Sequence, residues 1–440
     1  MVEYLAGKDI SVWAAMAVGL GGIIGAGIFV LSGTAISLAG PYSLLAFVVV
    51  GILALVVARE FGVLTSIMPK AEGASYSYVY KAFGSELGFI TGVVQYFGYS
   101  TTISAIALGF GSYLFGLIGT QFGISAIGYA IALILLLAVV NLLGVKGATR
   151  TESALVAIKI AVLLLFIGFA LYFVFGLSHI SLSNFAPTAA QSTPSAFFAA
   201  CLAIFFAYTG FQAITTLTTR IKGKAQGASK ALTLAVVISM VLYILIALSL
   251  IFLAPARNYT VNADPLNFAL GSSSAPSWIV IAVGIGALVA TASATLSIML
   301  GSSRVLHQMS KDRLLPSLFR HYNKRRDVSI SGIVFSSVIG ITMLFSGNIY
   351  IIAAISNIGT LFSYLMASAA VLHFGRKGAV SRPLYPYMSI AAMVFILILI
   401  MSLPSIALQI AIAAIISLLI IYYLLREIEG KKIIRIKLFR

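Results

Sequence analysis

Apolar stretches about as long as a bilayer is thick recur along the whole chain, separated by short polar or basic stretches. A helix of about 20 apolar residues crosses the hydrocarbon core of a membrane. The pattern predicts twelve such helices, over residues 11–31, 41–64, 85–115, 124–143, 152–176, 195–217, 231–253, 277–303, 329–346, 349–373, 385–403 and 404–425. The second opens at Gly40-Pro41, and proline suits the first turn of a helix. The last two are joined by a tight turn at Leu403-Pro404-Ser405. The expected fold class is an all-α polytopic membrane protein forming one transmembrane domain.

Two of these spans are interrupted. The first contains Gly19, Gly21, Gly22, Gly25 and Gly27, although each glycine inside a helix costs about 1 kcal/mol relative to alanine. A second interruption, Tyr208-Thr209-Gly210, lies at a similar depth in span 6. Spans 1 and 6 are five apart, and a repeat of five spans returns upside down in the membrane. Interrupted helices at matching positions of two halves point to a transporter's substrate site. The bland alternative is close helix packing on small residues, and Gly21 and Gly25 have that spacing. The matched second break favours the transporter reading. The half-helix starting near Ala26 then offers N–H groups and a positive dipole end to a carboxylate. The half-helix ending near Ile23 offers carbonyls to an ammonium.

Charge sets the topology. With the N-terminus placed in the cytoplasm, 26 of the 28 lysines and arginines fall on the cytoplasmic side, as the placement rule for basic loops demands. The net charge of +17 is thereby a membrane face, with no need of nucleic acid. The N-terminal stretch, with Glu3, Lys8 and Asp9, makes a poor signal peptide and is expected to be a retained first span. The basic tail from Arg426 is expected to be a solvated topology anchor, with lipid binding as the alternative. The expected location is the plasma membrane. One cysteine, Cys201, excludes a disulfide within the chain. The histidines (His179, His307, His321 and His373) lack ligand spacing, so neither a metal nor a cofactor is expected.

Lys159 is the one charge well inside a span. Such residues mark functional sites by default. Desolvation favours its neutral form, which would let it exchange a proton near neutral pH. Snorkelling to the interface is the alternative. Of the acids, Asp264 falls in an outer loop, Glu60 lies with Arg59 near the inner end of span 2, and Glu86, near the inner start of span 3, is expected to be a boundary charge.

These features resemble the amino acid–polyamine–organocation (APC) superfamily of transporters across almost the whole chain. The matching stretches are Gly22–Phe29, Gly40-Pro41, Pro69–Tyr76 leading to Gly84, Phe205–Phe211, and Ser303–Pro316. The resemblance implies a leucine-transporter-type fold: a five-plus-five inverted repeat (residues 11–176 and 195–373) with broken helices 1 and 6. Two extra helices (385–425) and a tail (426–440) complete it. It implies a substrate site at Ile23, Gly25, Ala26, Gly27, Phe206, Ala207, Thr209 and Gly210. The N–H groups of Ala26 and Gly27 would hold the carboxylate. The carbonyls of Ile23, Phe206 and Thr209 would hold the amine, and Phe206 would line or gate the site. Lys159 matches the span-5 lysine of proton-coupled members, which stands against span 1. Two departures matter. The loop after span 6 lacks the acids and prolines usual there, which removes an inner salt bridge. Gln212 stands where some exchangers carry a glutamate.

With no second buried charge to pair with a charged substrate, neutral amino acids are favoured. Tyr96, Ser100, Thr101 and Ser293 are candidate lining residues, each with helix packing as the alternative. The expected function is proton-coupled amino acid symport by alternating access. Exchange without a coupling ion is the nearest rival, and a channel or sensor on the same scaffold is a further one. No catalytic constellation lies within the spans, so no enzyme is expected.

Overall fold

The computed structural model describes all residues except 1–9, 70, 72–74, 120–121, 144–148, 180, 262, 316–318, 320–321, 324–327, 379–384 and 439–440. The N-terminal Glu3, Lys8 and Asp9, the segment 72–74, His321 and Pro316 therefore lie outside the described residues.

The chain is almost entirely helical. Its helices are α1 (Val12–Ile23), α2 (Ser32–Ala39), α3 (Ser43–Ile67), α4 (Ser75–Phe83), α5 (Ser85–Ile118), α6 (Ala126–Leu143), α7 (Thr149–Leu171), α8 (Pro194–Ala207), α9 (Lys224–Leu253), α10 (Pro265–Ser272), α11 (Ser277–Lys311), α12 (Ile330–Met343), α13 (Ile349–Arg376), α14 (Tyr385–Met401) and α15 (Ser405–Leu438). Among the described residues, eight helical stretches are long and apolar enough to cross a membrane, with Val12–Ile67 counted as one. A ninth arises if α14 and the part of α15 up to Ile420, bent by 103° at their junction, form one span. The Leu403-Pro404-Ser405 turn makes that bend.

Local chemistry explains the helix ends nearest the site. Ser11 caps α1 by accepting from the Ala14 N–H, which satisfies an otherwise orphan donor. Thr193 does the same for Ala196, with Pro194 in the first turn of α8. Two ends depart from the expected pattern. Residues 211–220 form a 3-10 helix and not an α-helix. α15 continues to Leu438, so the backbone of the expected tail prolongs the last helix, whose sequence there is rich in helix-forming Arg, Glu, Lys and Leu.

The core forms where α5 packs on α11 and α13, and where α3 packs on α9. Close helix approach is built from small residues: the Gly98 and Gly359 backbones meet directly, as expected where packing between helices supplies the association. At the end bearing α4, the backbone of Ile10 pairs with the segment after span 6. Its N–H donates to Arg220 O at 2.7 Å and its carbonyl accepts from Lys222 N–H at 2.8 Å. The loop that lost its acids is thus joined to the first span by neutral backbone bonds.

Candidate functional site

α1 stops at Ile23, and residues 24 and 25 are non-helical. A π-helical turn, Gly27–Leu31, follows, and no side chain caps its start at Ala26. In span 6, α8 stops at Ala207 and Gly210 adopts φ +106° before the 3-10 helix, a conformation available to glycine but costly for other residues. Each break therefore ends one helix and begins another.

The two breaks touch. A Cβ on Gly22 would fall 2.7 Å from Gly210 O, and one on Gly210 would collide with Gly22 O. A Cβ on Gly27 would collide with the Ala207 backbone. Phe206, Ala207 and Ala26 are buried around this crossing. The expected residues of the two breaks are thus brought together at one crossing.

Four groups occupy carbonyls at the two breaks. Ile23 O accepts the Gly25 N–H at 2.8 Å and the Tyr243 hydroxyl at 2.7 Å. The same hydroxyl lies 3.1 Å from Ala207 O, so Tyr243 on α9 bridges both breaks. Phe206 O accepts the Thr209 hydroxyl at 2.8 Å. Lys159 Nζ donates to Gly21 O at 3.1 Å, across from α7 to α1, and the residue is 2% exposed. Lys159 does not snorkel: its side chain points into the bundle because the last turn of α1 offers carbonyls there.

Below the span 6 break lies a neutral polar cluster. Gln212 Oε1 accepts the Gly210 N–H at 3.0 Å and the Tyr364 hydroxyl at 2.8 Å. Gln212 Nε2 donates to the Tyr99 oxygen at 3.0 Å, and Gln95 Nε2 donates to the same oxygen at 3.3 Å. Gln95 Oε1 accepts the Tyr76 N–H at 3.0 Å. The Tyr76 hydroxyl then donates to Asp312 Oδ2 at 2.7 Å, and Gln308 also donates to that carboxylate. Burial first, and Asp312 second, push the Tyr76 phenol well above its ordinary value, so it stays a donor. A hydrogen-bonded series thus runs from the Gly210 backbone to a cavity of about 400 Å³ at the α4 end, lined in part by Tyr80, Lys81, Gln308 and Asp312. A second cavity, of about 600 Å³, lies at the opposite end beside Ser37, Ser195 and Arg257.

Other expected residues fall elsewhere. Ser100, Thr101 and Ser293 bond back to their own helices, and Tyr96 receives Ser336 from α12. The hydroxyls of Ser100, Thr101 and Ser293 are thus satisfied within their own helices, and that of Tyr96 by a neighbouring one. Contrary to the expectation of no second buried charge, Glu60 is fully buried and meets Ser368, because the helical turn that exposes Arg59 sends the next residue inward. Tyr243, Tyr99, Tyr364 and Gln95 were not singled out by the sequence reading. The available signal was a hydroxyl or amide in an apolar span, since such groups take a partner when buried.

The family model for amino acid permeases matches residues 10–426, and the chain belongs to that family, within the APC superfamily. It is a multi-pass membrane protein and a permease, not an enzyme. It is 28% identical to the methylthioribose transporter of Bacillus subtilis, over 84% of this chain and 82% of that protein. It is 28% identical to the branched-chain amino acid permease BcaP of the same organism, over 94% and 92%. It is 30% identical to the vacuolar cationic amino acid transporter 2 of Arabidopsis thaliana, over 81% of this chain and 58% of that longer protein.

Proposed function

We propose that this chain carries neutral amino acids into the cell by alternating access, coupled to protons through Lys159. In this reading it has twelve spans in a five-plus-five inverted repeat, 11–176 and 195–373, followed by spans over 385–425. The basic loops and both termini face the cytoplasm, and the membrane is the plasma membrane.

The observation that carries the reading is the crossing of two broken helices whose freed carbonyls are held by Lys159 and Tyr243. Backbone groups at a break are tolerated at membrane depth only when buried in protein or lining a wet cavity. A zwitterion supplies both kinds of partner. Its carboxylate suits the N–H groups of Ala26 and Gly27. Its ammonium suits the carbonyls of Ile23, Phe206 and Thr209, displacing Tyr243 and the Thr209 hydroxyl. Gly210 lets the backbone turn, Gly25 makes room for Ala294 on α11, and Ala207 keeps the crossing close. Neutral substrates are favoured because Glu60, the acid deepest in a span, faces α13 and α14 and not the breaks. The relatives named for branched-chain amino acids agree with this choice, whereas those named for cationic amino acids do not.

Protonated Lys159 donates to Gly21 O and holds α1. Losing the proton removes the charge and weakens the donation to Gly21 O that the neutral amine can still make, and releases α1 toward the other access state. Purified protein in liposomes tests this. Wild type should accumulate a neutral amino acid when a pH gradient is imposed. Lys159→Ala should lose that accumulation and keep counterflow. Full gradient-driven accumulation by Lys159→Ala would refute the coupling, and counterflow without accumulation in wild type would assign exchange.

A further inference from the structure

Glu60 is the buried ionisable group that the proposed transport step leaves unused. It lies seven residues before the end of α3 at Ile67, about 10 Å into the helix at 1.5 Å per residue. Its side chain is fully buried. Its Oε2 is 2.6 Å from Ser368 Oγ on α13, and its Oε1 has no partner. Ser389 on α14 stands beside the carboxyl, just outside good hydrogen-bond geometry.

Among the described residues, no charge stands against the carboxyl. Ser368 and Ser389 are the side chains that face the carboxyl from α13 and α14. Arg59 is exposed on the other face of α3. On the elements packed against α3, Arg220 and Lys230 make no ion pair with Glu60, nor do His373 and Arg376. Tyr364 and Tyr243 spend their hydroxyls on Gln212, Ile23 and Ala207. An unpaired carboxylate buried in an apolar bundle takes up a proton sooner than it bears the desolvation cost.

The hydrogen bonds show where that proton belongs. Ser368 Oγ is 2.6 Å from Glu60 Oε2 and 3.0 Å from the Tyr364 carbonyl. A serine hydroxyl has one proton to donate, and a carbonyl only accepts. If Glu60 is ionised, Oε2 and the Tyr364 carbonyl have to share that one proton, which weakens both contacts. If Glu60 carries a proton on Oε2, it donates to Ser368 Oγ and Ser368 donates to the Tyr364 carbonyl. Both distances are then satisfied, and Oε1 is left as a neutral acid's carbonyl.

We propose that Glu60 is a proton-binding site, separate from Lys159, whose bound proton ties α3 to α13 beside α14. When the proton leaves to water, a charge remains between the helices and favours their separation and hydration. Tyr364, one turn from Ser368 on α13, holds Gln212 under the span 6 break, so this link reaches the candidate substrate site. The site does not rest on the driving ion proposed above, because counterflow needs no gradient.

Infrared difference spectra of the full chain in liposomes test it, titrated from neutral to alkaline pH with protons as the only probe. Wild type should show the carbonyl stretch of a protonated carboxylic acid at neutral pH, falling about tenfold per pH unit above its midpoint. Glu60→Gln should lack the band, and its counterflow should lose the part of the wild-type pH dependence that follows the band, keeping the part carried by Lys159. Should Glu60→Gln not fold, Ser368→Ala serves: the band should move to higher frequency as the acid loses its acceptor. Absence of the band in wild type at neutral pH overturns the proposal. So does a band that survives in Glu60→Gln, a Glu60→Gln counterflow profile that overlays wild type, or a band unmoved in Ser368→Ala.

Discussion

Gly22 and Gly210 meet backbone to backbone, each occupying the space that the other's side chain would need. One lies in the last turn of α1, the other in the span 6 break, and 188 residues of chain separate them in number only. Alanine at either position has to part the two broken helices. At Gly210 it also has to adopt φ +106°, a strain of about 1–3 kcal/mol. Gly22→Ala and Gly210→Ala should each lower counterflow at least tenfold while the protein remains in the membrane, with Gly210→Ala the less stable in detergent melting curves. Wild-type counterflow in either variant would show that the contact is dispensable.

Tyr243→Phe keeps the ring and deletes the hydroxyl that bridges Ile23 O and Ala207 O. An unfavourable loss of about 0.5–1.5 kcal/mol in stability is expected without substrate. Saturating substrate should narrow that gap, because its ammonium takes the vacated carbonyls. Thermal shifts with and without amino acid measure both terms.

Gln212 is neutral and both donates and accepts. Gln212→Glu places an acceptor-only carboxylate, when ionised, against the Gly210 N–H and two tyrosine hydroxyls. Transport should acquire a new acidic pH dependence in this variant. Gln212→Ala, which frees all three partners, should lose transport at every pH. A pH series of counterflow distinguishes the two.

The Tyr76–Asp312 bond joins α4 to the end of α11. Hydrogen bonds to charged groups contribute about 1.5–3 kcal/mol, so Tyr76→Phe should lower stability by that order. The sign of its pH dependence follows from the raised phenol. The contribution is complete below the unfolded phenol value of about 10 and is lost only as pH rises through the still higher folded value. The difference between wild type and Tyr76→Phe should therefore stay constant from pH 6 to pH 9 in melting experiments, within the range allowed by linkage.

Lys159→Arg separates contact from titration. Arginine remains charged at all working pH values and can still donate to the end of α1. Counterflow should survive in part, and its dependence on pH should weaken relative to wild type. A pH profile unchanged from wild type would remove Lys159 from the coupling step.

Apolar run length and glycine clustering are local properties, and they made the membrane class, the apolar helices and both breaks legible from the sequence. Even the depth of Lys159 could be counted along its own helix. The partner of a buried polar group is not local. Nothing near Tyr243 in the chain names Ile23 and Ala207 as its acceptors, and Gln212 finds Tyr99 and Tyr364 only once α5 and α13 are packed. Glu60 shows the same limit most sharply. Beside Arg59 near the inner end of its span it shows no sign of burial, yet consecutive residues of a helix point about 100° apart, and only the placement of α13 and α14 decides that Glu60 faces two serines in a buried interface.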